Sequence, residues 1–354
     1  MTYLPRLTNY FYDQRWFDTK WQMLDYAGTQ QHRFDLDKAR CVLRKDYSFD
    51  SADWTKEPSQ TWEEMTLKRM LEIRDTYPKI CLLYSGGSDS QYILNLCLRH
   101  NIKIDELATS YVDLPNFPND WFNYEINNFA IPFVKEYASH IPHKLIGTDD
   151  WSSFQEKVAM SFEGMFKHLS KLTPSPADTG YHKIMTHYID RGFVLVDGST
   201  EPNVYYDYDN DKYYAEMWDT DNFISRAEHP NLIPFFTDPS CTELHIKQCH
   251  LVLNYLREHN IKECLYTKDW DKYKDIFCAM TRDNIRIGKD SPFYSKKLND
   301  PIFISIKEKM LFKHLVKGDK RSGDKWLYFL NNSINGRKLY QQPKGIRIGK
   351  WYLE

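Results

Sequence analysis

Ser85, Gly86, Gly87, Ser88, Asp89 and Ser90 form a run in which every residue is small, hydroxylated or acidic. Two adjacent glycines let a backbone turn tightly and come close to a ligand. Three serines add hydroxyl donors. If the run opens a helix, the N–H groups at its start have no intrahelical partner, and the helix dipole favours an anion there. Such a set can cradle phosphate groups. The carboxylate of Asp89 is a hard oxygen ligand of the kind that holds Mg²⁺ against crowded phosphate charge. The spacing G-x-x-x-x-G-K-[ST] of the Walker loop is absent.

Further residues qualify for chemistry farther along. Gly198 permits close backbone approach to a nucleotide, and Glu201 is a carboxylate able to orient or deprotonate an attacking amine. Asp207, Asp209 and Asp211 resemble the start of a calcium loop, but Lys212 fills the position that needs glycine and no glutamate stands at the twelfth. A solvated acidic loop is the better account of them. His182 and His187 are five apart, off the i, i+4 spacing of a helical ligand pair.

The elements that must position these groups follow from pattern. Ile80 to Tyr84 is short, apolar and ends at the glycine pair, as a buried parallel strand does. Tyr92, Ile93, Leu96 and Cys97 then mark one helical face, with Ser88 or Asp89 as its N-cap. Residues 59–76 predict a preceding helix capped by Ser59 or Thr61, with Glu63 and Glu64 in its first turn. Strands are expected over 106–112, 143–146 and 192–196. Helices are expected over 120–139, bent near Pro132, and over 151–169 and 179–191. Strands alternating with helices predict an α/β fold, a parallel sheet with helices on both faces. Ligands bind such sheets at the carboxyl ends of the strands, which puts 85–90, Asp113 and 197–201 on one rim.

From these elements we divide the chain into an N-terminal cap (1–58), a nucleotide-binding α/β domain (59–225) and a mainly helical C-terminal region (226–354). The last has helices over 242–259, 267–282 and 304–316 and a closing strand over 347–353. Its stretch 306–350 carries 12 Lys/Arg against 3 Asp/Glu. That is a solvated basic surface or, with Trp326, Tyr328, Phe329, Tyr340, Trp351 and Tyr352 interleaved, a contact for RNA or DNA. The net charge of −2 implies no global attraction to nucleic acid or membrane. No apolar run approaches the ~20 residues of a membrane span. The N-terminus lacks the form of a signal peptide. Seven scattered cysteines, several in apolar contexts, point to free thiols and a cytoplasmic location.

The run Ser85, Gly86, Gly87, Asp89, Ser90 resembles the PP-loop of the ATP pyrophosphatase superfamily, S-G-G-x-D-S after a first strand, at all five fixed positions. That resemblance implies a PP-loop/HUP-like fold, with ATP and Mg²⁺ as cofactors. It implies cleavage between the α and β phosphates and an adenylated substrate. Absence of C-x-x-C weighs against the thiolating members. Glu263-Cys264-Leu265-Tyr266 lacks the glycine and histidine of the sulfonucleotide reductases. In layout the chain is most similar to the synthetase domain of asparagine synthetases over roughly 59–320. Asp197-Gly198-Ser199-Thr200-Glu201 stands where that family has S-G-E-G-x-D-E, and Leu232-Ile233-Pro234-Phe235-Phe236-Thr237-Asp238 resembles its V-P-F-L-D element.

The likeness to these synthetases implies that Tyr111 and Val112 present backbone groups to adenine, and that Lys289, or else Arg282 or Arg286, meets the departing pyrophosphate. Thr2 stands where the glutamine-dependent members have their nucleophilic cysteine, so the expectation is free ammonia or another amine without glutaminase activity. Three functions stay open: a synthetase adenylating a carboxylate or amide-type carbonyl, a lysidine- or thiolation-type nucleobase modifier, and a nucleotide-binding partner protein without chemistry.

Overall fold

The computed structural model describes residues 8–17, 23, 26, 39–43, 49–111, 113, 123, 125–147, 184, 187–198, 203–218, 231–258, 260, 262 and 347–354. Its centre is a five-stranded parallel sheet in the order β10-β7-β4-β5-β6, from β4 (Ile80–Leu83), β5 (Glu106–Tyr111), β6 (His143–Gly147), β7 (Val194–Asp197) and β10 (Leu232–Pro234). The first of these strands in the chain is the middle one. The next two build outward on one side, and the last two on the other. The order therefore reverses between β4 and β7, the place where doubly wound sheets bind ligands.

β4 is buried throughout because both faces of the sheet are covered. Ile80 and Leu82 point to one face and Cys81 and Leu83 to the other, and the two sets belong to separate cores. The first core is closed by α1 (Trp62–Thr76), α2 (Ser88–Arg99), α3 (Ile131–Tyr137) and Leu244 of α4 (Thr242–Glu258). Ile184 and Tyr188, the latter in a helical turn at 187–189, cover the second. Ile93, Leu94 and Leu96 of α2 are fully buried, each such side chain contributing roughly 1.5–3 kcal/mol. α1 starts at Thr61 in a full capping box with Glu64. The bend expected near Pro132 is a π-helical turn, Ile126–Ala130, running straight into α3.

Beside the parallel sheet stands a second, antiparallel one, β11-β9-β8, built from a hairpin of β8 (Asn203–Asp207) and β9 (Lys212–Trp218) with the C-terminal strand β11 (Arg347–Tyr352). α4 lies between the sheets. Its Ile246, Cys249, Leu253 and Leu256 pack on Val204, Ala215, Met217 and Leu353. Residues 49–58 strap α4. Trp54 stacks on Trp351 at 4.6 Å, His250 Nε2 meets the Trp54 carbonyl at 2.8 Å, and Lys247 donates to Glu57 at 2.6 Å. A small N-terminal sheet, β2-β1-β3, from β1 (Thr8–Tyr12), β2 (Arg15–Phe17) and β3 (Arg40–Leu43), adds a satellite core with Ile348 of β11 packed against it.

Two elements escape the sequence reading. β10 is a fifth strand beyond the four expected. The acids at 207, 209 and 211, expected in a solvated loop, sit at the turn of a hairpin whose strands, Asn203–Asp207 and Lys212–Trp218, were not expected. Its acids are partnered at the tip: Lys350 Nζ and the Tyr352 hydroxyl donate to Asp207 at 2.6 and 2.8 Å, and Lys262 stands 3.6 Å from Asp211. Lys350 above all holds the Asp207 carboxyl well below its usual range. Among the described residues no group of three or more His, Cys, Asp or Glu side chains is set to hold a metal ion. The helices expected over 151–169, 267–282 and 304–316 lie outside the described residues, as does the basic stretch up to 346. Among the described residues no helix is long and apolar enough to cross a membrane.

Candidate functional site

The glycine pair lies at the carboxyl tip of β4, at the point where the strand order reverses. Tyr84 still pairs as a strand residue, donating its N–H to the Ala108 carbonyl at 2.8 Å. The chain then turns at Gly86, whose φ of +77° is a left-handed value that suits glycine. Space demands glycine there too. A Cβ at Gly86 would stand 2.8 Å from Ala130 Cβ and 3.0 Å from Ala130 N, at the end of the π-helical turn. Gly87 is extended, at φ −75° and ψ 164°, and is the N-cap of α2.

This corrects the expectation that Ser88 or Asp89 caps the helix. The Gly87 carbonyl already accepts the first helical bond, from Gln91 N–H at 3.0 Å, so both residues lie inside the first turn. A glycine cap offers no side chain to the first-turn amides. Their dipole end therefore faces the sheet's carboxyl rim without a competing acceptor from the cap.

The loop closes on itself. Ser85 N–H donates to Ser90 Oγ at 3.2 Å, the two serine hydroxyl oxygens lie 3.3 Å apart, and Gly87 N–H donates to Ser85 Oγ at 3.2 Å. Ser85 is exposed and Ser90 buried, so the ring presents one hydroxyl outward and keeps the other as its seam. Asp89 is half-buried in the first turn of α2. A glycine pair, a helix start whose cap carries no side chain, and a carboxylate beside them fit a triphosphate with its cation: the Ser85 hydroxyl and the backbone of Gly86, Gly87, Ser88 and Ser90 would hold phosphate oxygens and Asp89 the Mg²⁺.

Gly198 comes to the same place from β7. A Cβ there would stand 2.9 Å from Ile93 Cδ1, 3.1 Å from Asp89 C and 3.2 Å from Asp89 O. The close approach seen at Gly198 is thus to the first turn of α2, and it seats the end of β7 against the loop. Tyr111 ends β5, half-buried against the core, and Asp113 is exposed just beyond it. Val112, Glu201, Lys289, Arg282, Arg286 and His182 lie outside the described residues. His187 is exposed, its Nε2 3.1 Å from Arg191, and stands apart from the loop in the second-face turn.

Sequence reasoning missed the support beneath the loop. Tyr84 is buried, and its hydroxyl donates to Gln91 Oε1 at 2.5 Å, while Gln91 Nε2 donates to Asn95 Oδ1 at 2.8 Å. Thr109 donates its hydroxyl to the Tyr84 carbonyl and has His143 Nε2 at 2.7 Å. Since the one proton of Thr109 goes to Tyr84, His143 is the donor in that pair. Burial lowers the pKa of His143 and raises that of Tyr84, so both are neutral near pH 7. A signal existed: Gln91 is a polar residue on the buried side of an apolar helix, seven positions from a lone hydroxylated aromatic in an aliphatic strand.

No family model matches the chain, and no curated protein matches it. Among solved structures, the NH3-dependent NAD synthetase from Campylobacter jejuni subsp. jejuni NCTC 11168, in complex with the nitrate ion, aligns with 73% of this chain and 97% of its own. Identity is 12% and the TM-score 0.27. At that score the likeness carries no weight for fold or function, which rest on the sheet and the loop.

Proposed function

We propose that the chain is an ATP-using enzyme of the PP-loop type that forms AMP and pyrophosphate. The observation that carries this is the placing of Ser85 to Ser90. The five matched positions of the motif fall at the tip of the central strand, at the reversal of strand order, on the start of a glycine-capped helix. A carboxylate or amide-type carbonyl oxygen attacks the α-phosphorus of ATP, pyrophosphate leaves, and an amine then displaces AMP from the adenylated carbon. Gly86, Gly87 and the first-turn amides of α2 hold the β and γ phosphates in line. Asp89 would hold Mg²⁺, whose positive charge would offset that of the leaving pyrophosphate. Glu201 takes the amine's proton, Lys289 meets the pyrophosphate, and the backbone of Tyr111 and Val112 receives the adenine. Positioning and charge stabilisation supply most of the rate, as in other phosphate chemistry.

The acceptor is a small molecule or a nucleic acid, the latter through the basic stretch before β11. Pyrophosphate release in the presence of Mg²⁺-ATP, ammonia and panels of carboxylates or of tRNA tests this. Release that depends on one acceptor class supports the proposal. ATP binding without release from any panel would leave a nucleotide-binding protein in its place.

A further inference from the structure

Tyr84 and Gln91 are the two residues that flank the hexapeptide, one immediately before Ser85 and one immediately after Ser90. Their side chains meet beneath it at 2.5 Å, both buried. We propose that this pair is a positioning lock for the phosphate loop, a role that rests on the loop's binding phosphate. Its two partners are themselves held. Asn95, one turn on, fixes the Gln91 amide with Oε1 toward the tyrosine. The Tyr84 main chain is gripped on both sides, its N–H by Ala108 and its carbonyl by Thr109, which His143 supports in turn.

The contact therefore ties the end of β4 and the start of α2 to fixed points in β5 and β6. Above it, the Ser85–Ser90 ring is partly exposed, with bonds of 3.2 and 3.3 Å. The short, buried bond sets the distance between the loop's ends, and the longer ring above it follows. With the ends set, the start of α2 meets a phosphate without having to be ordered on binding, and preorganisation of that kind is worth affinity. A tyrosine serves where an aliphatic residue would fill the same core, because only a hydroxyl reaches the amide across the loop's base.

Tyr84→Phe removes the hydroxyl and keeps the ring. It leaves Gln91 Oε1 buried without its donor, so it also destabilises the fold, and a second variant separates the two effects. Tyr84→Phe with Gln91→Leu removes both polar partners and so the buried unpaired oxygen, while Asn95 Oδ1, half-buried, can take a donor from water in place of Gln91. Calorimetric titration of the full chain with Mg²⁺-ATP and with pyrophosphate, well below each melting temperature, reads the lock. Hydrogen exchange at 85–90 reads the same lock without ligand. The proposal expects both variants to bind about tenfold more weakly, the scale of one buried hydrogen bond. It also expects faster exchange at the loop in both, with the double variant regaining melting temperature but not affinity. Affinity that is unchanged, or that recovers together with melting temperature, overturns the lock and leaves the phosphate site standing. Wild-type protein that binds neither ligand overturns the site and the lock together.

Discussion

Gly86→Ala is the sharpest perturbation of the site, because two separate constraints meet at that residue. Its φ of +77° is disfavoured for alanine by about 1–2 kcal/mol. The added Cβ would also lie 2.8 Å from Ala130 Cβ and 3.0 Å from Ala130 N. The second of those atoms is backbone and cannot rotate away, so the loop or the end of the π-helical turn must shift. Overpacking of this kind costs typically 1–3 kcal/mol. The sum is a loss of about 2–5 kcal/mol in denaturant unfolding, a large part of the stability of an ordinary domain.

The cycle with Ala130→Gly separates the two costs. Alone, Ala130→Gly costs roughly 1 kcal/mol as a helical alanine replaced by glycine. In the Gly86→Ala background it removes the Cβ–Cβ contact and restores part of the loss, while the φ cost remains. Coupling of about 1 kcal/mol between the two changes is the expected result, read from urea midpoints at constant slope. A Gly86→Ala protein within 0.5 kcal/mol of wild type would refute both the left-handed turn and the contact with Ala130. Additive changes would refute the contact alone.

Other outcomes follow from the same geometry. Gly198→Ala meets the movable Ile93 side chain but also the Asp89 backbone, so it should displace the first turn of α2 and weaken Mg²⁺-ATP binding more than it lowers the melting temperature. Thr61→Ala, which breaks the capping box, should cost about 1 kcal/mol in unfolding and leave nucleotide affinity unchanged. Asp105 gives a pH prediction. Burial would raise its pKa, but hydrogen bonds from Lys103, Arg74 and the Ile80 amide outweigh that and hold it at about 2, against an ordinary 3.8. The carboxylate therefore stabilises the fold fully above pH 4, and that contribution is lost as pH falls through 2. Asp105→Asn should be less stable than wild type by up to about 2 kcal/mol at pH 7, and the gap should close between pH 4 and 2; a gap that is constant across that range would contradict it.

The parallel sheet was legible because its inner strands β4 and β7 are buried on both faces and so read as apolar runs, as in Cys81, Leu82 and Leu83. The helix before it was legible through Thr61 and Glu64, whose reciprocal bonds are local. The loop was legible because backbone geometry demands glycine at Gly86 whatever surrounds it. Elements defined by distant partners were not. β10 is three residues long and owes its strand form to pairing with β7. The strands β8 and β9 were missed around an acidic turn whose neutralising Lys350 arrives more than a hundred residues later. Gln91 and Tyr84 are seven apart, close enough for a local signal, but that spacing matches neither helix nor strand and becomes a contact only because the glycines fold the chain back. The polar group on an apolar face was the available clue.

The central claim is that the amides at the start of α2 hold phosphate. Calorimetric competition on the full chain tests it most directly: Mg²⁺-ATP is bound, then displaced by pyrophosphate or by adenosine. Displacement by pyrophosphate, with adenosine far weaker and Gly86→Ala unable to bind either phosphate ligand tightly, is the predicted result. ATP that adenosine displaces as well as pyrophosphate does, or that binds Gly86→Ala undiminished, would contradict the claim.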